Sequence, residues 1–162
     1  MRDFPSGPDH ADRIPPLAGI SSRIRDERRW QLWSMSEKSH IRIVRRIWEA
    51  IREDGIEAGL ELTPGVEWRP HAAGGQVLTS EEALKFFAEF QGERELLEVL
   101  PYSYQAHGDY VLASGSFRLR GPGRISEFQI HWVYEFEGDD LRRAESFGTR
   151  AEAFAAIGVD EL

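Results

Sequence analysis

The fold is decided by the stretch from Leu96 to Phe147, which reads LLEVLPYSYQAHGDYVLASGSFRLRGPGRISEFQIHWVYEFEGDDLRRAESF. Apolar and polar residues alternate along most of it, and turn signals fall at Gly108-Asp109, Gly121-Pro122-Gly123 and Gly138-Asp139. Alternation with a period of two is typical of strands with one buried face, and such glycine-containing turns join strands as hairpins. The stretch therefore predicts four antiparallel strands.

The register of these strands follows from the turns and from burial. A two-residue turn at Gly108-Asp109 sets Tyr102 opposite Gly115, which pairs a large ring with a residue that has no side chain. The next turn allows three residues or four, and a slip of one residue moves every side chain to the other face. Burial favours the four-residue turn, which pairs Phe117 with Phe128.

The last hairpin completes the predicted inner face of the sheet. It places Arg143 beside Tyr134 and Glu145 beside Trp132, so a charged pair joins the aromatic residues. The inner face is then predicted to comprise Leu100, Tyr102, Tyr104, Phe117, Phe128, Ile130, Trp132, Tyr134, Phe136 and Phe147. Ser114, Gln129, His131 and Ser146 are predicted to face outward. A face this apolar requires a cover of helices.

Helices are predicted before the meander. Apolar residues recur at helical spacing from Ser39 to Asp54, and a shorter helix fits Ile56 to Leu62. A strand is predicted over Val66 to Arg69, after a turn. Thr79 and Glu82 form a capping-box pattern at the start of a third helix. The predicted class is α+β, with a curved antiparallel sheet packed against three N-terminal helices.

Composition narrows the classes of function. The chain has 162 residues, a net charge of −8 and no cysteine. A negative chain is a poor partner for nucleic acid or an anionic membrane, and no disulfide or cysteine-based zinc site is available. No phosphate-binding glycine loop or metal-ligand spacing stands out, so no metal and no cofactor are predicted. Without a long apolar run, a cytoplasmic location is expected.

The N-terminal region differs from the rest. Residues 1–34 carry all four of their prolines in the first twenty positions, which are predicted to form a loose tail, and a short helix fits Ser21 to Trp33. We interpret 1–34 as an extension that is poorly structured or partly helical, with 35–162 as the domain. The extension is either a packed or partner-binding segment, or upstream sequence read from too early a start before Met35.

Several short segments resemble the nuclear transport factor 2-like superfamily, specifically its SnoaL-like branch. They are Asp54-Gly55-Ile56-Glu57-Ala58, Val66-Glu67-Trp68-Arg69-Pro70, Phe147-Gly148-Thr149-Arg150-Ala151-Glu152-Ala153 and Ile157-Gly158. Their order and spacing are similar to those of the family over about Ser39 to Gly158. The resemblance implies a cone-shaped, cystatin-like α+β barrel with a cavity between sheet and helices, commonly dimeric through the sheet.

The resemblance does not include the catalytic residues of the ketosteroid isomerases in that superfamily. Ketosteroid isomerases combine an aspartate base with a tyrosine and a protonated aspartate that hold the oxyanion. This chain has Ile47 in place of the tyrosine, Trp68 or Arg69 in place of the base, and Trp132 near the oxyanion-binding carboxylate. Related cyclases and epoxide hydrolases use inward-facing acidic residues, and here Glu145 with Arg143 is the comparable pair.

Three hypotheses follow. The first is a homodimer, formed through the sheet, that binds a small apolar or aromatic molecule. The second is a cofactor-free isomerase, cyclase or hydrolase in which Glu145 moves a proton and Arg143 orients charge; a structural ion pair is the rival interpretation. The third is a scaffold whose cavity is filled. The predicted ligand-binding residues are Trp48, Trp68, Tyr102, Tyr104, Phe117, Trp132 and Tyr134.

Two histidines have weaker claims on a functional role. His131 is predicted to face outward among serines, where a contact between two sheets of a dimer is favoured over proton transfer. His71 follows Pro70 in a loop at the expected cavity mouth, where a solvated side chain is favoured over a role in a mobile entrance.

Overall fold

The computed structural model describes residues 18–160, and for residues 18–34 and Leu97 it describes the backbone alone. The chain divides into two compact units, residues 1–32 and 33–162, and the site lies in the second. The loose tail predicted for the first twenty residues falls almost entirely outside the described residues.

Three helices precede the antiparallel meander, as predicted. They are α1 (Ala18–Asp54), α2 (Ile56–Glu61) and α3 (Ser80–Gln91). The two helices predicted on either side of residue 35 form the single helix α1, because no glycine or proline interrupts the chain there. Although α1 has 37 residues, no helix in the described part of the chain is long and apolar enough to cross a membrane.

Local signals explain where these helices begin and end. The chain leaves α1 at Gly55, whose φ of 94° is a positive value that glycine adopts without strain. The predicted capping box at α3 is confirmed, since the Thr79 hydroxyl accepts the backbone N–H of Glu82 and the Glu82 carboxylate accepts that of Thr79.

The sheet has five strands in the order β1-β5-β4-β3-β2. They are β1 (Glu67–Arg69), β2 (Glu95–His107), β3 (Tyr110–Gly121), β4 (Arg124–Glu137) and β5 (Asp140–Phe147). The last four form the predicted antiparallel meander, and β1 pairs in parallel with β5. A 3₁₀ turn at His71–Ala73 follows β1, and a fourth helix, α4 (Arg150–Ala156), follows β5.

The four-residue turn between β3 and β4 is confirmed. Phe117 pairs with Phe128, and Trp132 pairs with Ala113, without any shift along the twelve paired positions. This register keeps the rings on one face. We call that face of the sheet, which also carries Tyr134, the inner face.

Two β-bulges overturn parts of the predicted register. In β2 the bulge at Tyr102, between Pro101 and Ser103, shifts the preceding residues by one, so that Val99 rather than Leu100 opposes Phe117. In β5 the pairing jumps from Leu141 to Arg143, leaving Arg142 as the extra residue.

The consequences of the bulges are visible in burial. Val99 is fully buried, whereas Leu100 and Tyr102 are 45% and 52% exposed, so the inward orientation predicted for these two is wrong. On β5, Ala144 opposes Tyr134 and Ser146 opposes Trp132. The predicted partners Arg143 and Glu145, together with Phe147, therefore lie on the outer face.

Each face of the sheet has its own core. The inner face packs against α1, α2 and α3, and its buried residues include Val44, Trp48, Leu60, Ala83, Trp132 and Tyr134. On the outer face, Ala153 and Phe154 of α4 pack over Leu112 and Val133. The fold is α+β, with the curled sheet and covering helices that form a cone, as predicted.

Candidate functional site

A cavity of about 200 Å³ lies between α3, the 3₁₀ turn and the inner face of β3 and β4; we call it the main cavity. Its walls are largely aromatic because α3 presents three phenylalanines to the ring-bearing face of the sheet. The aromatic side chains of its walls are Phe86, Phe87, Phe90, Phe117, Phe128 and Trp132. Phe147, whose side chain packs on the outer face, borders the cavity where β5 ends.

The rings of the main cavity support one another by edge contacts. The Phe87 and Trp132 ring centres lie 6.3 Å apart at 60°, and those of Trp132 and Trp68 lie 5.5 Å apart at 78°. Edge-to-face pairs at such distances are favourable and orient the rings. Trp132 is therefore held in place between helix α3 and strand β1.

A smaller space of about 30 Å³, which we call the inner space, adjoins the main cavity and shares Phe87, Phe117 and Trp132 with it. Trp48 of α1 and Tyr134 of β4 also line it, and the Trp48 indole N–H donates to the Tyr134 hydroxyl at 2.9 Å. Burial raises the pKa of Tyr134, so its hydroxyl keeps its proton.

One end of the main cavity is polar, and we define the polar end as His71 and Ser146. The backbone N–H of His71 donates to the Ser146 Oγ at 2.7 Å, which ties the 3₁₀ turn to β5. Gly148 lies beneath the imidazole, since a Cβ at that position would be 3.2 Å from His71 Nε2. A side chain at this position would crowd the His71 ring.

Sequence reasoning missed Ser146 and the α3 phenylalanines as site residues. Ser146 was placed outward because the bulge at Arg142 was not recognised, although Ser146 is the smaller partner for the Trp132 indole. The phenylalanines were recognised as an apolar helix face but not as cavity walls. Their number is the sequence feature that could have indicated this role. Three of them lie within five residues, at 86, 87 and 90, and make a wide aromatic face on the helix.

Five of the seven predicted ligand-binding residues line these spaces. Phe117 and Trp132 border both the main cavity and the inner space, and Trp48, Trp68 and Tyr134 border the inner space. Tyr104 faces inward but lies against α1, where the Arg45 guanidinium sits 5.2 Å from its ring centre. Tyr102 is on the outer face, where its hydroxyl donates to Gln129 Oε1 at 3.1 Å.

The proposed catalytic pair does not reach either space. Glu145 pairs with Val133, which belongs to the core under α4, and directly paired residues share a face. Arg143 forms ion pairs with Glu135 at 3.2 Å and with Glu67 at 3.6 Å, on the same outer side. The inward-facing Glu145–Arg143 pair is therefore a wrong prediction, and the bulge at Arg142 is its physical cause.

The described residues hold two buried histidines, both outside the cavity. His131 is on the outer face as predicted, with its Nδ1 2.8 Å from the Ser114 hydroxyl. His40, which sequence reasoning overlooked, is stacked on Phe136 at 4.0 Å and donates from Nε2 to the Gly138 carbonyl at 2.6 Å. It joins α1 to the turn between β4 and β5.

Ionisable groups are scarce around the main cavity. His71 is the one ionisable side chain among the described residues that line it. Nor do three or more His, Cys, Asp or Glu side chains cluster as metal ligands anywhere in the described ranges. The arrangement suits an apolar molecule with one polar group.

Comparisons of the sequence alone identify no relative, because no family model and no curated protein matches the chain. Comparison with solved structures, in contrast, finds similar folds. An NTF2-like protein of unknown function from Burkholderia pseudomallei K96243 is 20% identical with a TM-score of 0.57, covering 75% of this chain and 98% of that one.

Two further solved structures extend the likeness. A putative SnoaL-like polyketide cyclase from Jannaschia sp. CCS1 is 20% identical with a TM-score of 0.53, covering 78% of this chain and 96% of that one. TerC, crystallised with polyporic acid, is 19% identical with a TM-score of 0.58, covering 73% and 96%. The chain thus has the nuclear transport factor 2-like fold, with SnoaL-like proteins among its structural relatives, as expected.

Proposed function

We propose that the protein binds a small, flat, apolar molecule in the main cavity. The observation that carries the proposal is an open space of about 200 Å³ whose walls are almost entirely aromatic and aliphatic. A dry engineered cavity of about 150 Å³ with comparable walls binds benzene. The main cavity is therefore suited to a molecule of about two fused rings.

The wall residues favour a flat ligand over a branched one. Phe86 and Phe90 of α3 are stacked at 6.2 Å with an angle of 20°, and Phe117 lies across the cavity from this helix. Flat rings can stack on such surfaces with offset or edge contacts. The structural relative TerC was crystallised with polyporic acid, which supports small-molecule binding by this fold.

Binding is favoured over proton transfer as the role of the cavity. No Asp, Glu, Lys or Arg is present among its described lining residues, and the only ionisable group there is an exposed histidine. General acid–base catalysis commonly relies on a titratable group whose pKa is tuned by its surroundings. The described lining offers no buried group of that kind.

The proposal is tested with 1-aminonaphthalene, a flat two-ring dye whose emission depends on the polarity of its surroundings. We expect saturable binding to one site per chain. Ile130→Trp places a large ring in the main cavity and is expected to weaken binding at least tenfold. Ile125→Trp is the matched control, because Ile125 is on the same strand but is 54% exposed and lies outside the cavity.

Two outcomes would contradict binding in the main cavity. If the dye fails to bind, or if Ile130→Trp and Ile125→Trp bind it equally, the main cavity is not a binding site. Far-UV circular dichroism of the two variants establishes that both are folded.

We also propose that a second copy of the chain covers the part of the outer face that α4 does not. Leu100, Tyr102 and Ile125 are 45%, 52% and 54% exposed there, so the face carries large apolar groups in contact with water. Sedimentation equilibrium is expected to report a dimer that Tyr102→Glu dissociates. Val77→Glu, at a 49% exposed position in the loop before α3, should leave the dimer intact.

A further inference from the structure

We infer that the ligand carries a neutral hydroxyl or carbonyl oxygen at one end of its flat apolar body, and that His71 and Ser146 bind this oxygen. The inference rests on the proposed function, because it names the class of molecule that the main cavity takes. It also sets the direction of binding, with the oxygen at the polar end and the rings between α3 and the sheet.

The Ser146 hydroxyl has a hydrogen to donate. Ser146 is only 7% exposed, lines the main cavity, and accepts the His71 backbone N–H through its Oγ. Its own hydrogen has no acceptor among the residues that the structure describes. A buried hydroxyl that leaves its hydrogen unpaired is costly, so an oxygen atom of a ligand at this position is favoured.

The His71 ring provides a second polar group beside the first. Its side-chain nitrogens form no hydrogen bond with any described residue, and its Nε2 lies over Gly148, next to where β5 ends. A neutral imidazole both donates and accepts. Ser146 and His71 together can therefore bind a hydroxyl group, which also donates and accepts, or a carbonyl oxygen.

The other polar side chains at the main cavity are less suited to this role. Gln129 is engaged on the outer face, where its Oε1 accepts the Tyr102 hydroxyl. Gln91 is the last residue of α3 and also borders a separate groove with Glu95 and Glu98. Gln91 therefore serves as a control for the polar end.

Charge favours a neutral oxygen over a carboxylate. The chain carries a net charge of −8, and a Cβ on Gly148 would lie 3.4 Å from the Glu152 carboxylate as well as 3.2 Å from His71. A negative group brought to the polar end would meet both the local carboxylate and the overall negative field. We therefore assign the cavity to phenol-like or ketone-like aromatic molecules.

Two probes of nearly equal shape test this inference. 2-Naphthol carries a hydroxyl where 2-methylnaphthalene carries a methyl group, and both compete with 1-aminonaphthalene for the main cavity. The measured quantity is the ratio of their dissociation constants. Ser146→Ala and His71→Leu are each expected to reduce the preference for 2-naphthol about fivefold, which is typical for one neutral hydrogen bond.

One control tests whether the cavity is intact, and the other tests whether the effect is specific to the polar end. Binding of 2-methylnaphthalene should be unchanged in both variants, which shows that the cavity is intact, and Gln91→Leu should keep the preference for 2-naphthol. The inference is overturned if Ser146→Ala and His71→Leu retain the wild-type ratio, or if Gln91→Leu abolishes it. If neither naphthalene displaces the dye from the wild-type protein, the proposed function fails as well.

Discussion

The indole Nε1 of Trp48 donates a hydrogen bond of 2.9 Å to the hydroxyl of Tyr134, joining α1 to β4 across 86 positions of the sequence. Both side chains are almost fully buried, at 1% exposure each. A polar contact within an aromatic core fixes the relative position of helix and sheet, because an unpaired N–H or O–H there is costly. This contact also forms one wall of the inner space.

Tyr134→Phe is expected to lower the free energy of unfolding by about 1 to 3 kcal/mol, since it leaves the Trp48 N–H buried without an acceptor. Urea denaturation followed by circular dichroism measures the change. Tyr102→Phe also removes a tyrosine hydroxyl, but from a 52% exposed residue, and should change stability by less than about 0.5 kcal/mol. Equal effects of the two substitutions would refute the structural role given to the Trp48–Tyr134 bond.

Stability should fall at alkaline pH because of two buried phenols. Burial raises the pKa of Tyr104 from 10.0 to about 12 and raises that of Tyr134 as well. The folded protein then keeps protons that the unfolded chain releases, so the free energy of unfolding decreases between about pH 10 and about pH 12. Denaturation midpoints across this range test the expectation, and Tyr104→Phe should make the decrease shallower. An identical slope in wild type and variant would count against it.

Gly115→Ala is expected to destabilise the fold by about 1 to 3 kcal/mol through overpacking. The added Cβ would lie 2.6 Å from Cζ3 of Trp48 and 2.7 Å from the Leu100 carbonyl oxygen, and neither is free to move. Gly121→Ala is the matched control on the same strand, where the Cβ meets the flexible Arg94 side chain at 3.5 Å. Thermal unfolding that ranks Gly121→Ala as the more damaging change would contradict this packing.

His40→Ala is expected to lower the free energy of unfolding by about 2 to 4 kcal/mol. The change removes a fully buried ring stacked on Phe136 and a hydrogen bond to the carbonyl of Gly138. His71→Ala, at an exposed position, should leave stability within about 0.5 kcal/mol of wild type. Chemical denaturation of both variants distinguishes a structural histidine from one available to a ligand.

The main sheet could be predicted from local signals because burial restricts a strand to one register. Only the four-residue turn between β3 and β4 puts Phe117 and Phe128 on the same face as Trp132, and the structure has that pairing. The α3 capping box was equally local, since Thr79 and Glu82 satisfy each other's backbone groups. Such features depend on residues that are near in sequence or directly paired.

The prediction of a charged end to the cavity was wrong, because the alternation of residue types in β5 does not reveal the bulge. Strand β5 has two usable faces, one with Arg143 and Glu145 and one with Ala144 and Ser146. A continuous hairpin from Gly138-Asp139 puts the charged face inward. The bulge at Arg142 puts the small residues there instead, so that the Trp132 and Tyr134 rings have space and the charged residues reach Glu135, Glu67 and solvent.

The sequence by itself determined the class of fold, the order of the first three helices and of the strands, and the aromatic character of the inner face, because periodicity and turn chemistry act over a few residues. The helix α4 was not predicted. Tertiary structure decided which polar groups meet the cavity. Bulges at Tyr102 and Arg142 turn whole segments of strand over, and their positions depend on packing against α1 and β4, which no local pattern specifies.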